Sequence, residues 1–297
     1  MSQLKKVVIA IALAVCAGMA PAQQGAPQPA QDQVTVQDGI AVRPLWRWRE
    51  LAPEQVVEQQ SRQQYLQMMQ EAANKGVLAP VTNMQLVRLR AIAKRLTPNA
   101  ARWNPEAAKW EWQVNLLESS EVNAFCMPGG RVAFYSGILT KLTLNDDEVA
   151  AVMGHEIAHA LREHGREQMV KSTGTNVLMR LGGALVASIF GVDPSVTDTV
   201  ARYGAQFISL KFSRDDEREA DLIGLDLAAR AGFDPRAGIK LWQKMSALNK
   251  GLPLAWLSTH PGGAERIKQM NDHMNVLLPV YARAKGTSVR ELPAYRN

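Results

Sequence analysis

Cysteine is almost missing from this chain of 297 residues, which has only Cys16 and Cys126. Cys16 lies in a segment expected to be removed, so Cys126 is left alone and an intramolecular disulfide is excluded. Stability must then come from packing and from any bound metal. Between Phe125 and Met127, and with no second cysteine to accompany it, Cys126 reads as a buried thiol rather than a nucleophile or a ligand. Long basic runs are missing too. The formal net charge of +6 includes Lys5 and Lys6, and the other basic residues are scattered without interleaved aromatics, so nucleic acid is not an expected partner. There is no internal repeat, and no apolar run of membrane-spanning length is expected in the mature chain.

What is present begins with a leader. Residues 1–22 read as a signal peptide: Lys5 and Lys6, an apolar run from Val7 to Met19, then small residues at Ala20-Pro21-Ala22. A retained anchor and a lipidated Cys16 are the alternatives. Residues 23–50 are read as a flexible tether, rich at first in Gln, Ala and Pro, and residues 51–285 as one folded domain, followed by a tail over 286–297. Helical patterns over about 54–74 and 82–96 suggest an N-terminal helical hairpin, 53–97, packed on the core. Short strand patterns follow over 110–116, 122–126 and 131–135, with Pro128-Gly129-Gly130 as a turn. The fold class expected is therefore α+β, mainly α, with a small β-sheet.

Asn145 and Glu148 form a capping-box pattern that opens a helix expected to run to about Glu167. An apolar stretch over 177–191 reads as a buried or membrane-surface hairpin helix, with core packing favoured on length. A further helix is expected to run through Phe207, Leu210, Glu217 and Asp221 to Arg230. Two more follow over 235–248 and 263–277.

The chemistry lies in His155-Glu156-Ile157-Ala158-His159. Residues four apart share a helix face, so two imidazoles can meet one cation with the glutamate beside them. A catalytic zinc needs a third protein ligand and an open position. One source would be a histidine six residues after His159 with a glycine between. Arg162 stands in the place of that glycine, Gly165 stands in the place of the histidine, and His164 is one residue out. The other source is a separate helix, where Glu217 and Asp221 are four apart and share a face, with Gly224 and Ala228 continuing it. Glu217 is assigned as ligand and Asp221 as the carboxylate behind a ligand histidine, while Glu219 is expected to point elsewhere.

With Asn123-Ala124-Phe125, Pro128-Gly129-Gly130 and Ser258-Thr259-His260-Pro261, these paired segments resemble the gluzincin metallopeptidase family of HtpX, Ste-type CAAX proteases, BepA and LoiP. The likeness runs from about Arg88 to Asn275 and is nearest to the periplasmic LoiP/BepA-like members, although no repeat array of the BepA kind follows. It implies a zincin-like metalloprotease domain with an active-site edge strand (Asn123, Ala124, Phe125) and one zinc ion per chain. It also implies catalytic roles for Glu156, His260 and Arg266, with His260 able to occupy or guard the open position. The implied activity is hydrolysis of unfolded or misassembled cell-envelope proteins in the periplasm. Outer-membrane association is left open, and the outer-membrane assembly machinery is a further partner. The competing reading is a periplasmic chaperone or assembly factor whose metal site is latent or structural.

Overall fold

Three strands form the sheet on which the site is built, in the order β3-β5-β4: β3 (Gln113–Leu117), β4 (Ala124–Met127) and β5 (Arg131–Tyr135). β5 is central, parallel to β3 and antiparallel to β4, which leaves β4 at the edge. The β4–β5 turn needs Gly129 and Gly130, whose φ angles of 80° and 82° suit residues without a Cβ. This is a computed structural model, and it describes residues 35–171, 210–249 and 254–295, Asp38 apart. The signal peptide and the apolar 177–191 stretch lie outside the described residues.

Successive residues of a strand face opposite ways, so the sheet feeds two cores. Val132 and Phe134 of β5 join the larger one, beneath α2 (Met84–Leu96) and α4 (Asp146–Leu161). Ala133 between them joins a smaller one beneath α1 (Glu54–Asn74), with Phe125, Met127 and Leu117. α1 buries Val57, Ser61, Tyr65, Met69 and Ala72, mostly four apart, and the Tyr65 hydroxyl donates to the Val132 carbonyl at 2.7 Å. The hairpin expected over 53–97 is therefore not a packed pair. Its two helices cover opposite faces of the sheet.

Folding also starts earlier than residue 51. β1 (Thr35–Gln37) pairs antiparallel with β2 (Ile40–Val42), and Ile40 and Val42 are both buried, so the part of the expected tether from β1 onward is folded. α3 (Ser136–Lys141) follows β5. α4 opens with the Asn145/Glu148 capping box and is buried along nearly its whole length, which makes it the central helix of the domain. It stops at Leu161, short of the expected Glu167, because Glu163 adopts a φ of 55°; helix resumes over 164–171.

α5 (Arg214–Arg230) begins at a Ser213/Asp216 capping box, so the helix expected to pass through Leu210 starts after it. α6 (Ala237–Asn249) and the short α7 (Ala255–Thr259) follow. The pattern over 263–277 divides at His273 into α8 (Ala264–Asp272) and α9 (Met274–Ala284). The result is mainly helical with one small three-stranded sheet. No helix among the described residues is long and apolar enough to cross a membrane.

Candidate metal centre

α4 carries His155, Glu156 and His159, and α5 carries Glu217 and Asp221. The two helices meet through glycine. A Cβ on Gly154 would lie 2.5 Å from the Gly224 carbonyl oxygen, and one on Gly224 would lie 2.5 Å from the His155 nitrogen. The backbones therefore touch beside the motif, as the small residues in both segments suggested.

That approach, with His260 added from farther along the chain, brings four donor residues together. His155 Nε2 is 3.1 Å from His159 Nε2 and 3.6 Å from Glu217 Oε2, while His159 Nε2 is 3.4 Å from Glu217 Oε1. His260, just past α7, points Nδ1 into the same space, 3.3 Å from His155 Nε2 and 2.9 Å from Glu217 Oε1. Tetrahedral zinc bonds of about 2.0–2.1 Å would separate donors by about 3.3–3.4 Å, so the set has the right size for such an ion. All four residues are buried, and one atom from each lies within 4.8 Å of the others. Three imidazoles and a carboxylate suit zinc and also accept other divalent ions of its class.

Behind the donors stand charged partners. His155 Nδ1 faces Asp221 Oδ1 at 3.1 Å, near enough for charge to act though not aligned as a hydrogen bond. Arg266, from α8, donates to both Asp221 oxygens at 2.6 Å, to Glu217 Oε2 at 2.5 Å and to the Pro261 carbonyl at 3.1 Å. Its guanidinium also lies over the Trp242 ring at 3.8 Å. With donors committed this way, Arg266 is placed to hold carboxylates rather than to meet a developing oxyanion.

Burial alone would raise the Glu217 carboxyl; His260 and His159 outweigh it and hold the group well below the usual carboxylate range. Asp221 is likewise pulled down, burial being overcome by Arg266 and His155. Burial lowers His159 well below its ordinary value. For His260 burial acts the same way, but Glu156 and Glu217 win and raise it.

Glu156 sits just outside the donor set. Trp256 Nε1 donates to its Oε1 at 2.7 Å, and His260 Nε2 lies 3.7 Å from the same oxygen. The Trp256 ring stacks on His260 with centroids 4.7 Å apart, and Phe212 stacks on His159 at 3.9 Å. Neither aromatic was singled out in the sequence, where nothing but nearness to His260 and to the Ser213 cap would have marked them. Glu219 lies outside the donor set, yet it is not solvated: it is buried and accepts from Arg162 Nε at 3.0 Å, with His164 Nε2 at 3.3 Å. Asn123 precedes β4 and takes the Tyr135 N–H on its carbonyl, and Ala124 and Phe125 lie on the edge strand itself. A narrow cleft of about 30 Å³ beside them is lined by Phe125, Met127, His159, Leu210 and Phe212.

Comparison with known proteins agrees with this geometry. The chain is similar to the mitochondrial metalloendopeptidase OMA1 of Arabidopsis thaliana, 39% identical over 53% of this chain and 30% of that one. It is similar to the metalloprotease LoiP of Escherichia coli, 30% identical over 70% of this chain and 78% of that one. A beta-barrel assembly-enhancing protease of Yersinia pestis is 29% identical over 55% of this chain and 35% of its own length. The chain thus spans about a third of the length of the Arabidopsis relative and just under half, 46%, of the corresponding Schizosaccharomyces pombe protein. Residues 84–274, which contain every donor described above, match the profile of one family, and on that match the chain belongs to Peptidase family M48.

Proposed function

We propose that this protein is a zinc-dependent endopeptidase in which His155, His159 and Glu217 hold the metal and Glu156 is the general base. The observation that carries the reading is a tetrahedral-sized donor set with an intact glutamate beside it, oriented by Trp256 through a 2.7 Å hydrogen bond. Bound zinc supplies Lewis acidity, which makes an attacking water acidic near neutral pH and polarises the peptide carbonyl. Trp256 occupies Glu156 Oε1 and so holds the carboxylate beside the donor set, where it would serve that water. Glu156 takes its proton and later returns it to the leaving amine. Arg266 keeps Asp221 ionised and holds both Asp221 and Glu217 in place in the buried site.

β4 fits the substrate. Among the described residues its outer edge has no strand neighbour, so an extended peptide can pair along Ala124–Met127 by main-chain hydrogen bonds beside the narrow cleft. Extended backbone is available in unfolded chains, and the similarity to LoiP and to a beta-barrel assembly-enhancing protease supports misassembled cell-envelope proteins as substrates. The same similarity supports a periplasmic location and contact with the outer-membrane assembly machinery.

One observation favours the latent alternative, a chaperone or assembly factor. His260 fills the fourth donor position, and four protein donors leave no place for water. In the enzyme reading, His260 must withdraw for turnover. Cleavage of casein by the purified protein separates the two. Glu156→Gln should retain zinc and lose at least about 100-fold in rate, and His260→Ala should retain zinc and gain rate. A parent and an H260A variant that both bind zinc and both leave casein intact, while protecting it from aggregation, would establish the latent reading.

A further inference from the structure

The face of His159 turned away from the donor set meets a cluster that the reaction scheme does not use. His159 Nδ1 lies 3.0 Å from His164 Nδ1, and His164 Nε2 lies 3.3 Å from Glu219 Oε2. Glu219 is held in turn by Arg162 Nε at 3.0 Å and by Arg43 Nη2 at 3.2 Å, while Arg162 also donates to the Arg43 carbonyl. Asp216 completes the group, 4.0 Å from His164 Nε2 and bonded to Arg43 at 2.7 Å and Gln168 at 3.0 Å. His164, Arg162, Asp216 and Glu219 are all buried.

The backbone is bent to produce this contact. In a continuous helix a residue five positions on is turned by about 140° from the first, so His164 would face away from His159. Instead the helix breaks, Glu163 takes the left-handed φ of 55°, and His164 folds back beneath His159. Glu163 is fastened in that conformation by Arg49 at 2.5 Å and Arg166 at 2.8 Å. A second cation does not explain the cluster, because two guanidinium groups already balance its two carboxylates.

The hydrogen-bond directions follow from valence. A neutral imidazole whose Nε2 faces a cation carries its proton on Nδ1. His159 must then donate through Nδ1, His164 must accept on Nδ1, and His164 therefore carries its own proton on Nε2 and gives it to Glu219. We propose that His164 is a positioning residue: it accepts the Nδ1 proton of His159, fixing that ring with Nε2 toward the metal, and Glu219 holds His164 in the tautomer able to accept. This rests on the reading of His159 as a ligand.

The test uses the full chain, with zinc affinity measured by competition against a chromogenic chelator and the visible spectrum recorded with cobalt in place of zinc. Outer partners of ligand histidines typically contribute about 10–100-fold in metal affinity, and His164→Leu should lose that much and shift the cobalt bands. His164→Asn, whose amide oxygen can accept from His159, should recover most of the affinity and the parental spectrum. Glu219→Gln covers the case in which H164L does not fold: it should show a smaller loss of zinc affinity, with the metal-free fold checked by circular dichroism because the buried Arg162 loses its charged partner. H164L binding zinc as tightly as the parent, H164N as weak as H164L, or, should H164L not fold, E219Q indistinguishable from the parent would overturn the proposal while leaving the ligands in place. His159→Ala with undiminished affinity would overturn the ligand reading itself, and this inference with it.

Discussion

Behind His155 the nearest carboxylate, Asp221, is one step away; behind His159 the nearest, Glu219, is two steps away, with the His164 imidazole between. Both carboxylates end on arginine, but from different parts of the chain. Arg266 reaches Asp221 from α8, near the C-terminal side, whereas Glu219 is held by Arg162 at the end of α4 and by Arg43 just after β2. A carboxylate facing a ring directly adds negative charge to it and strengthens the ligand. A neutral imidazole between them passes on mainly orientation. The two flanks therefore divide the work: one tunes the donor and the other aims it.

The largest way to break this comparison is Arg266→Ala. It strips the cation from two buried carboxylates at once and should destabilise the fold by about 3–5 kcal/mol, read from urea unfolding. Asp221→Asn should come next, with zinc affinity falling by up to about 100-fold. Glu219→Gln should lose clearly less in the same chelator competition, because His164 still stands behind His159. Equal losses from the two substitutions would erase the distinction between a tuning flank and an aiming flank.

The smallest effect belongs to Arg43, which is partly exposed, so Arg43→Ala should cost at most about 1 kcal/mol near neutral pH. Its pH dependence has a definite sign. Burial would raise Asp216 and Glu219, but the His164 Nε2–H that faces them and the arginine guanidinium groups outweigh it and hold both below the ordinary carboxylate range. Their contribution is complete above the unfolded carboxylate pKa of about 4 and disappears as pH falls through the depressed folded values. The stability gap between parent and R43A should therefore be constant from pH 7 to 5 and close below about pH 4.

The parts of this centre legible in the sequence are those set by one helix period. His155 with His159 and Glu217 with Asp221 are each four apart, and Gly154 and Gly224 announced a close crossing. His164 and Glu219 were illegible for the same reason, since a periodic reading sends both away from the site. The break at Glu163 returns His164 to it, and no residue type at 162–163 signals that break. The sheet shows the same limit. Its strands could be placed from their composition, yet which helix covers which face depends on the alternation of single residues such as Val132, Ala133 and Phe134 across β5. Trp256 reaches Glu156 from a hundred residues away, beyond any local pattern.

The contact between Gly154 and Gly224 has a bearing on how the donors keep their spacing. Main chain rests on main chain there, so the gap between the two helices works like a caliper locked by its own jaws, indifferent to rotamer hops in the surrounding core. Each glycine gives up roughly 1 kcal/mol of helix propensity relative to alanine, and the chain accepts that loss at two mid-helix positions. What it obtains is a distance between imidazoles and carboxylate that no side chain can drift out of tolerance.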